Sequence, residues 1–382
     1  LGGTTRSTVY YPPFPLTIER GSKGRVYDVD GHGYLNFVGE YSAGVYGHDD
    51  GMTRRVLDAI ARHGTLLSGP TRHEDLLARL LCSRFGFEQV RFCNSGTEAN
   101  LLALGLARNA TTRAGVLAFS GAYHGSSLVL MEGRDALNIS IDITLAEYND
   151  IEGTRALIEA NASKLGAILV EPMLGAAGCI PAKTEFLQML REMADKHAIV
   201  LIFDEVMTSR LGPAGLQGVL GVQADLTTLG KYIGGGFSMG ALAGRRDLMA
   251  RFDPASDDAY LPHGGTFNNN VASMVGGYIG LSDYFTEEEA VRLNARGDKL
   301  RKTLNEAARG LGVPVQATGH GSIMNLHLND GDITHPSDLD VTGASEFKRL
   351  FHLHMLNRGI YVAARGMTTL NLNMHEAYIA AF

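Results

Sequence analysis

Short, uninterrupted apolar runs that alternate with helix-like segments are the feature that most constrains this chain. Each run has five residues or fewer and lies between charged or glycine-rich positions. Strands covered on both faces lack the alternation of half-exposed strands, so such runs indicate a largely parallel sheet with helices on both sides. We therefore predict an α/β protein with strands at residues 89–93, 115–119, 166–170, 199–203, 226–229 and 240–244. The predicted helices are residues 53–62, 73–85, 97–109, 152–163, 184–197 and 270–284.

The character of the sequence changes near residue 290. A charged helix over 287–309 precedes predicted strands near 315–328, a helix over 343–357 and a last strand near 368–373. Two further short strands are predicted around the Asp30–Gly31 turn. Since 382 residues exceed one ordinary domain, we predict two domains. The large domain covers residues 46–290, and a smaller α+β domain is built from residues 1–45 and 291–382.

Charge and cysteine content exclude several classes of partner. The formal net charge of −7 leaves no basic excess to meet phosphates, which argues against nucleic acid or an anionic membrane. No apolar stretch is long enough to cross a bilayer. The three cysteines, Cys82, Cys93 and Cys179, lack metal-ligand spacing, so we expect no metal site and a reducing compartment, the cytoplasm.

The segment from Asn94 to Asn100 is a candidate anion site. It follows one predicted strand and opens a helix, with Ser95, Gly96 and Thr97 at the turn. Small residues at a helix N-terminus leave backbone N–H groups free for a phosphate. A plain N-cap, in which a hydroxyl bonds the first helical turn, explains the same residues equally well.

Two charged residues follow other predicted strands. Asp204 ends an apolar run, and Lys231 follows another and precedes a glycine-rich loop. Open α/β sheets bind their ligands at the carboxyl ends of the strands. A buried carboxylate requires a partner, and a buried lysine has a lowered pKa that frees its amine. Alone, Lys231 is equally well an exposed lysine at a strand end.

Pyridoxal 5′-phosphate (PLP) needs these three groups together. Its phosphate needs an anion site, its ring nitrogen needs a carboxylate, and its aldehyde needs an amine. The nest at residues 95–97, Asp204 and Lys231 supply them in that order along the chain. Tyr123 lies after a predicted strand, where an aromatic ring could cover the cofactor, with His124 beside it; loop packing is the alternative for both.

These residues resemble those of the class III aminotransferases of PLP fold type I. The matching segments span nearly the whole chain: NSGTEAN (94–100), AYHG (122–125), VEP (170–172), FDEVMTSR (203–210), TLGKYIGGG (228–236) and GGTFNNN (264–270). The resemblance implies cofactor contacts from Ser95, Gly96, Thr97, Tyr123, His124, Asp204, Met207, Lys231 and Thr266. Lys231, Asp204 and Tyr123 would be catalytic. Thr266 would reach the phosphate of a neighbouring subunit, which implies a homodimer with shared active sites.

A closer resemblance narrows the range of expected substrates. Many family members have glutamine where this chain has Met207, and the segment DEVMTSR (204–210) more closely resembles the glutamate-1-semialdehyde aminomutase branch. The terminal segments are similar to bacterial aromatic β-amino acid (β-phenylalanine) aminotransferases, in which two arginines bind carboxylates. These correspond to Arg6 and Arg365, with Tyr41, Val45 and Tyr46 on the apolar side of the site. A mobile terminus for Arg6 and a structural ion pair for Arg365 remain alternatives.

The expected activity is exchange of an amino group between an amino acid, such as β-phenylalanine, and a keto acid. The acceptor would be 2-oxoglutarate or pyruvate, in a ping-pong reaction through pyridoxamine phosphate. A PLP-dependent 2,1-aminomutase or amino-acid racemase would use the same lysine and aspartate. A nicotinamide-dependent dehydrogenase would need an early glycine fingerprint, which the chain lacks. A non-catalytic binding protein would not need all three cofactor anchors.

Overall fold

The computed structural model describes residues 3–255 and 260–382. Leu1, Gly2 and residues 256–259, which fall inside the predicted domain ranges, lie outside the described residues. The strands are β1 (Ile18–Ser22), β2 (Arg25–Asp28), β3 (Gly33–Asn36), β4 (Gln89–Cys93), β5 (Gly115–Phe119), β6 (Ile143–Ala146), β7 (Leu165–Val170), β8 (Met173–Leu174), β9 (Ile180–Pro181), β10 (Val200–Asp204), β11 (Leu226–Gly230), β12 (Gly240–Gly244), β13 (Gln316–His320), β14 (Ile323–His327), β15 (Ile360–Tyr361) and β16 (Met367–Thr369).

The helices occupy the intervals between these strands. They are α1 (Asp50–His63), α2 (Arg72–Phe85), α3 (Gly96–Thr111), α4 (Ile151–Asn161), α5 (Thr184–His197), α6 (Gly215–Leu220), α7 (Arg246–Met249), α8 (Val271–Ile279), α9 (Glu287–Leu311), α10 (Ala344–Leu356) and α11 (Glu376–Ala381). Short 3₁₀ turns cover Ser7–Val9, Gly39–Ser42, Thr208–Leu211, Lys231–Gly234, Ala250–Phe252 and Pro336–Leu339, and a π-helical turn covers Gly280–Tyr284. Within the described part of the chain, no helix has both the length and the apolar character that crossing a membrane requires.

A seven-stranded sheet forms the centre of the molecule, in the order β4-β12-β11-β10-β7-β5-β6. Strand β10 pairs in parallel with both β11 and β7. Strand β12 alone runs against its neighbours, because Gly240 pairs with both Cys93 and Gly230 in antiparallel registers. The predicted α/β fold with a mostly parallel sheet is confirmed. The reversed direction of β12 could not be predicted, since a buried apolar run looks the same in either direction.

The uninterrupted apolar runs arise because the sheet is covered on both faces. Along β7, Ile168 and Val170 belong to a buried cluster with Phe186 of α5. The alternate residues Ala167 and Leu169 belong to a second cluster, which includes side chains of α3. Successive residues of a strand point to opposite faces, so every position of β7 is apolar and buried.

Two smaller sheets contain the chain ends. One has the order β1-β2-β3-β15, and Ile360 of β15 pairs in parallel with Leu35 of β3. The other joins β13, β14 and β16. The predicted hairpin around Asp30–Gly31 is present as β2 and β3. Strands from both ends thus share a sheet, as a smaller domain built from both termini requires; the boundaries 1–45, 46–290 and 291–382 stay a prediction.

Arg210 connects these terminal segments to the central sheet. It lies in the 3₁₀ turn that follows β10 and is fully buried. One terminal nitrogen donates to the carbonyl of Ser42 over 2.9 Å, and the other donates to the carbonyl of Leu370. Asn294 of α9 donates to the carbonyl of Arg210 itself. Burial lowers the pKa of Arg210 to about 10, so the guanidinium stays charged at neutral pH.

Replacing Arg210 by methionine should destabilise the fold while nearly preserving side-chain length. Two buried carbonyls lose their donor, and each unsatisfied group costs about 1–3 kcal/mol, so we expect a loss of about 2–6 kcal/mol in the free energy of unfolding. Urea titration followed by circular dichroism measures this loss. Arg309→Met, at an exposed position of α9, is the matched control. Equal stability of the two variants would contradict the connecting role of Arg210.

Candidate active site

The carboxyl ends of five strands open on one cavity of ≈1100 Å³. The cavity is lined by residues that end or immediately follow β4, β7, β10 and β11, and by residues of the loop after β5. Eight of the residues predicted from the sequence are brought together there: Ser95, Gly96, Thr97, Tyr123, His124, Asp204, Met207 and Lys231. This is the edge at which open α/β sheets bind their ligands.

The N-terminus of α3 faces this cavity. The hydroxyl of Ser95 caps the helix by accepting the N–H of Glu98 over 3.1 Å, so the N-cap role considered for it is real. The N–H groups of Gly96 and Thr97 belong to the first turn, which has no intrahelical acceptors, and they donate to no other residue that the structure describes. A side chain at Gly96 would lie 2.7 Å from Val206, so only glycine permits this approach. The turn is therefore competent to bind a phosphate.

Asp204 is a buried carboxylate with three hydrogen-bond donors. Its Oδ2 accepts from Nδ1 of His124 and from Nδ2 of Asn100, both over 2.8 Å, and its Oδ1 accepts the N–H of Val206 over 3.0 Å. Burial opposes ionisation, but the hydrogen bond and charge of His124, with the bonds from Val206 and Asn100, outweigh it. The pKa of Asp204 is therefore below its ordinary value, and the group stays anionic with lone pairs to spare.

Asn100 fixes the orientation of that carboxylate. Its amide nitrogen donates to Asp204 and to the carbonyl of His124, and its oxygen accepts the hydroxyl of Thr228 over 2.8 Å. An amide has two donors and one acceptor group, so all of them are used. Because Thr228 lies on β11, this amide joins the strand that leads to Lys231 to the strand that ends in Asp204.

Lys231 begins the turn after β11 and reaches the same cavity. Its backbone adopts a φ of 56°, a left-handed conformation that costs about 1–3 kcal/mol for a residue other than glycine. Burial lowers its pKa to about 8, and the positive charge of Arg365 adds to this, while Asp204 and Glu171 oppose it. A substantial fraction of the amine is consequently neutral, and nucleophilic, near pH 8.

Glu171 is a cavity residue that the sequence analysis did not single out. It follows β7, is 4% exposed, and accepts the N–H of Tyr123 over 2.9 Å and that of Gly175 over 3.0 Å. Burial raises its pKa to about 7; His124 opposes this rise, whereas Asp204 adds to it. The signal was available, since Glu171 is an acid directly after six apolar or small residues, like Asp204.

Tyr123 and Met207 occupy two further sides of the cavity. Tyr123 is 41% exposed and lines the cavity, although its backbone N–H is held by Glu171, so its side chain is accessible to a bound molecule. Met207 is 8% exposed. A side chain at Gly175 would come within 2.3 Å of the Met207 sulfur, so the thioether is packed against that loop.

Five predicted residues lie outside this cavity. Thr266 is exposed on the surface of the chain. Arg6 forms an ion pair with Glu40, which does line the cavity. Val45 is fully buried in the core, and its neighbour Tyr46 reaches the cavity instead.

Tyr41 and Arg365 are the other two residues, and they contact each other. The guanidinium of Arg365 lies 4.3 Å from the centre of the Tyr41 ring. The hydroxyl of Tyr41 is 2.6 Å from that of Tyr11 and donates to the carbonyl of Thr8. Tyr41 is thus a buried support for Arg365, which lines a second cavity next to the first.

The residues of the first cavity match the chemical needs of PLP. The α3 N-terminus offers free N–H groups to the phosphate, the ionised Asp204 can keep a ring nitrogen protonated, and the amine of Lys231 can react with the aldehyde. The exposed face of Tyr123 is available for stacking on the ring.

Comparison with known proteins agrees with this chemistry. Residues 7–379 match the family model for aminotransferase class-III. The chain is 46% identical over 385 residues to a β-phenylalanine transaminase of Variovorax paradoxus, covering 100% of this chain and 88% of that protein. A solved β-phenylalanine aminotransferase structure from that organism has a TM-score of 0.96, covering 99% of this chain and 87% of the other.

Two other relatives extend the comparison. A glutamate-1-semialdehyde 2,1-aminomutase of Chloroherpeton thalassium is 35% identical, over 91% of this chain and 84% of that protein. A transaminase structure with bound PLP is 31% identical, with a TM-score of 0.89 over 99% of this chain and 91% of the other. The chain therefore belongs to the class III aminotransferases, and its cofactor is pyridoxal 5′-phosphate.

Proposed function

We propose that this protein transfers the amino group of a β-amino acid, such as β-phenylalanine, to 2-oxoglutarate or pyruvate. The observation that carries the proposal is the position of Arg365. Its charge acts on Lys231, its guanidinium is held over Tyr41, and it pairs with no carboxylate of the described residues. A guanidinium with these properties suits a substrate carboxylate. The similarity to the Variovorax β-phenylalanine transaminase supports the same choice.

The residues around the cofactor have separate tasks. When bound, PLP supplies an electron-accepting ring that stabilises negative charge on the carbon bearing the amino group. Asp204 keeps the ring nitrogen protonated, because His124 and Asn100 hold its carboxylate in place and ionised. The first-turn N–H groups of Gly96 and Thr97, with the Ser95 hydroxyl nearby, would hold the phosphate, and Tyr123 would stack on the ring.

Lys231 moves the proton. Its amine has a pKa near 8, so at neutral to mildly alkaline pH it can remove a proton from the carbon next to the substrate amine and return it elsewhere. For a β-amino acid this is the β carbon, which places the carboxylate one carbon farther away than in an α-amino acid. Arg365 and Arg6 would bind carboxylates on different sides of the site, which allows donor and acceptor to share one cofactor.

Arg6 can bind a substrate carboxylate only if its guanidinium first releases Glu40. It is half exposed and paired with Glu40. A substrate carboxylate would compete with Glu40 for the guanidinium, and exposed ion pairs of this kind are worth only about 0–1 kcal/mol. Such a partner is easily exchanged, so we retain Arg6 as the second carboxylate-binding residue. Val45 and Tyr41 act from behind the site as packing residues.

A homodimer completes the proposal. Thr266 is exposed and lies outside the chain's own cavity, which fits a threonine that binds the phosphate in a partner subunit. The three cysteines are unpaired, which fits a reducing compartment, the cytoplasm. The functional partners are small amino and keto acids, without a role for nucleic acid or membrane.

A product assay tests the proposed reaction. The holoenzyme is mixed with β-phenylalanine and either 2-oxoglutarate or pyruvate, and glutamate or alanine is measured. We expect amino-acid product only when both substrates are present. Lys231→Ala should lower the rate by at least about 10³-fold because it removes both the nucleophile and the base. Lys164→Ala, at an exposed position, is the matched control. Turnover of an amino acid without any acceptor would instead identify an aminomutase or racemase.

The lowered pKa of Lys231 predicts how cofactor uptake depends on pH. Only the neutral amine reacts with an aldehyde, so the rate of covalent PLP uptake by the apoenzyme should rise with pH and level off above about pH 8. Nα-acetyllysine, whose amine has an ordinary pKa of about 10.4, serves as the reference amine in the same buffers. Stopped-flow absorbance measures both rates. An inflection for the protein at the same pH as for the free amine would refute the assignment.

A further inference from the structure

A second cavity of ≈710 Å³ adjoins the first, and Ala176 lines both. Its inner wall carries two half-buried cations, Lys348 of α10 and Arg365, and the buried amide of Asn325. The acids that line it, such as Glu132, are exposed. The cavity is therefore positive inside and acidic only at its rim.

Lys348 is held in place without a counter-ion. Its Nζ lies 3.2 Å from Nδ1 of His327, whose Nε2 lies 3.0 Å from the carbonyl of Gly178. Burial, helped by the charge of Lys348, lowers the pKa of His327 to about 3, so the ring is neutral. An ammonium only donates, so Nδ1 accepts from Lys348, and the Nε2 proton faces the hydroxyl of Thr318 and the carbonyl of Gly178. Within the described chain Lys348 has no carboxylate partner, and two of its three N–H bonds remain free.

Arg365 lines the same cavity and, like Lys348, has no carboxylate partner among the described residues. Its Nε is buried and bonds no described group, and its one polar side-chain contact is to the sulfur of Met367. Two unneutralised cations that face one cavity repel each other, and burial increases the energetic cost. A carboxylate between them would relieve this cost, because Arg binds it in a bidentate manner and Lys as a point charge.

The position of this pair relative to Lys231 identifies the kind of anion. Arg365 and Lys348 line the second cavity, whereas Lys231 lines the first, and Ala176 lines both cavities. An anionic group bound by Arg365 and Lys348 is therefore in the neighbouring cavity, away from the amine of Lys231. It belongs to the end of a substrate that is remote from the reacting carbon.

We propose that Lys348 is a specificity-determining residue, which together with Arg365 binds the distal carboxylate of a dicarboxylate keto acid such as 2-oxoglutarate. This inference rests on the proposed transaminase function. A monocarboxylate acceptor such as pyruvate has no distal carboxylate and makes no use of Lys348. The residue therefore sets the preference between the two classes of acceptor.

The kinetic test compares Lys348→Met and Lys348→Arg with the wild type, with one amino donor and either 2-oxoglutarate or pyruvate. For Lys348→Met we expect KM for 2-oxoglutarate to rise about 10- to 100-fold, the equivalent of one charge-assisted hydrogen bond. The KM for pyruvate and both kcat values should change less than about threefold. Lys348→Arg should restore most of the 2-oxoglutarate affinity. Equal changes for both acceptors, or no change for either, would overturn the proposal in favour of a role confined to holding His327 and Gly178.

A binding measurement separates this proposal from the transaminase function. Glutarate and butyrate are added to the holoenzyme, and the thermal midpoint is followed. Glutarate should stabilise the wild type and Lys302→Met, a variant at an exposed lysine of α9, but not Lys348→Met; butyrate should act alike on all three. If the wild type transfers amino groups to neither acceptor, the proposed function fails, and the glutarate shift still decides the role of Lys348. Glutarate stabilisation that survives Lys348→Met would refute it.

Discussion

The carboxylate of Asp204 is the group on which the site depends. A buried charge is tolerated only when it is fully partnered, and here the partners come from separate parts of the chain. Asn100 belongs to α3, His124 to the loop after β5, and Val206 to the turn after β10. Satisfying one carboxylate therefore fixes the helix N-terminus, the loop that carries Tyr123 and the central strand. The hydrogen bond between Asn100 and Thr228 extends the same constraint to the strand that leads to Lys231.

Much of the central sheet and of the site was predictable from the sequence, because a strand that is buried on both faces is recognisable as an uninterrupted apolar run. Strands β4, β5 and β12 occupy the predicted residues, β7 and β11 are each longer by one residue at one end, and β10 is shifted by one residue. The turn at residues 95–97, Asp204 and Lys231 each follow such a run, so their common edge could be inferred from strand order. Strand β6 was missed because it is an edge strand with mixed exposure, in which Leu145 is 50% exposed. A pattern that is not uniformly apolar gives no comparable signal.

The positions of Val45 and Lys348 and the environment of Glu171 could not be predicted, because they depend on contacts between residues that are distant in the sequence. Val45 was expected on the apolar side of the site, but its side chain is fully buried in the core. In the sequence, Lys348 is indistinguishable from an ordinary lysine on an amphipathic helix, and only the structure shows that it lines the same cavity as Arg365. Glu171 follows a strand in the same manner as Asp204, yet its raised pKa comes from burial near Asp204, which sequence spacing does not show. Such placements are set by tertiary packing rather than by local pattern.

The hydrogen bonds of Arg210 have a consequence for biosynthesis. The two terminal nitrogens of the guanidinium donate to the carbonyls of residues 42 and 370, and the backbone carbonyl of Arg210 accepts from residue 294. Until Leu370 has been synthesised, this buried cation lacks one of its two carbonyl acceptors. The hydrogen bonds that anchor the turn after β10 can therefore be complete only after the segment that carries Leu370 has been made.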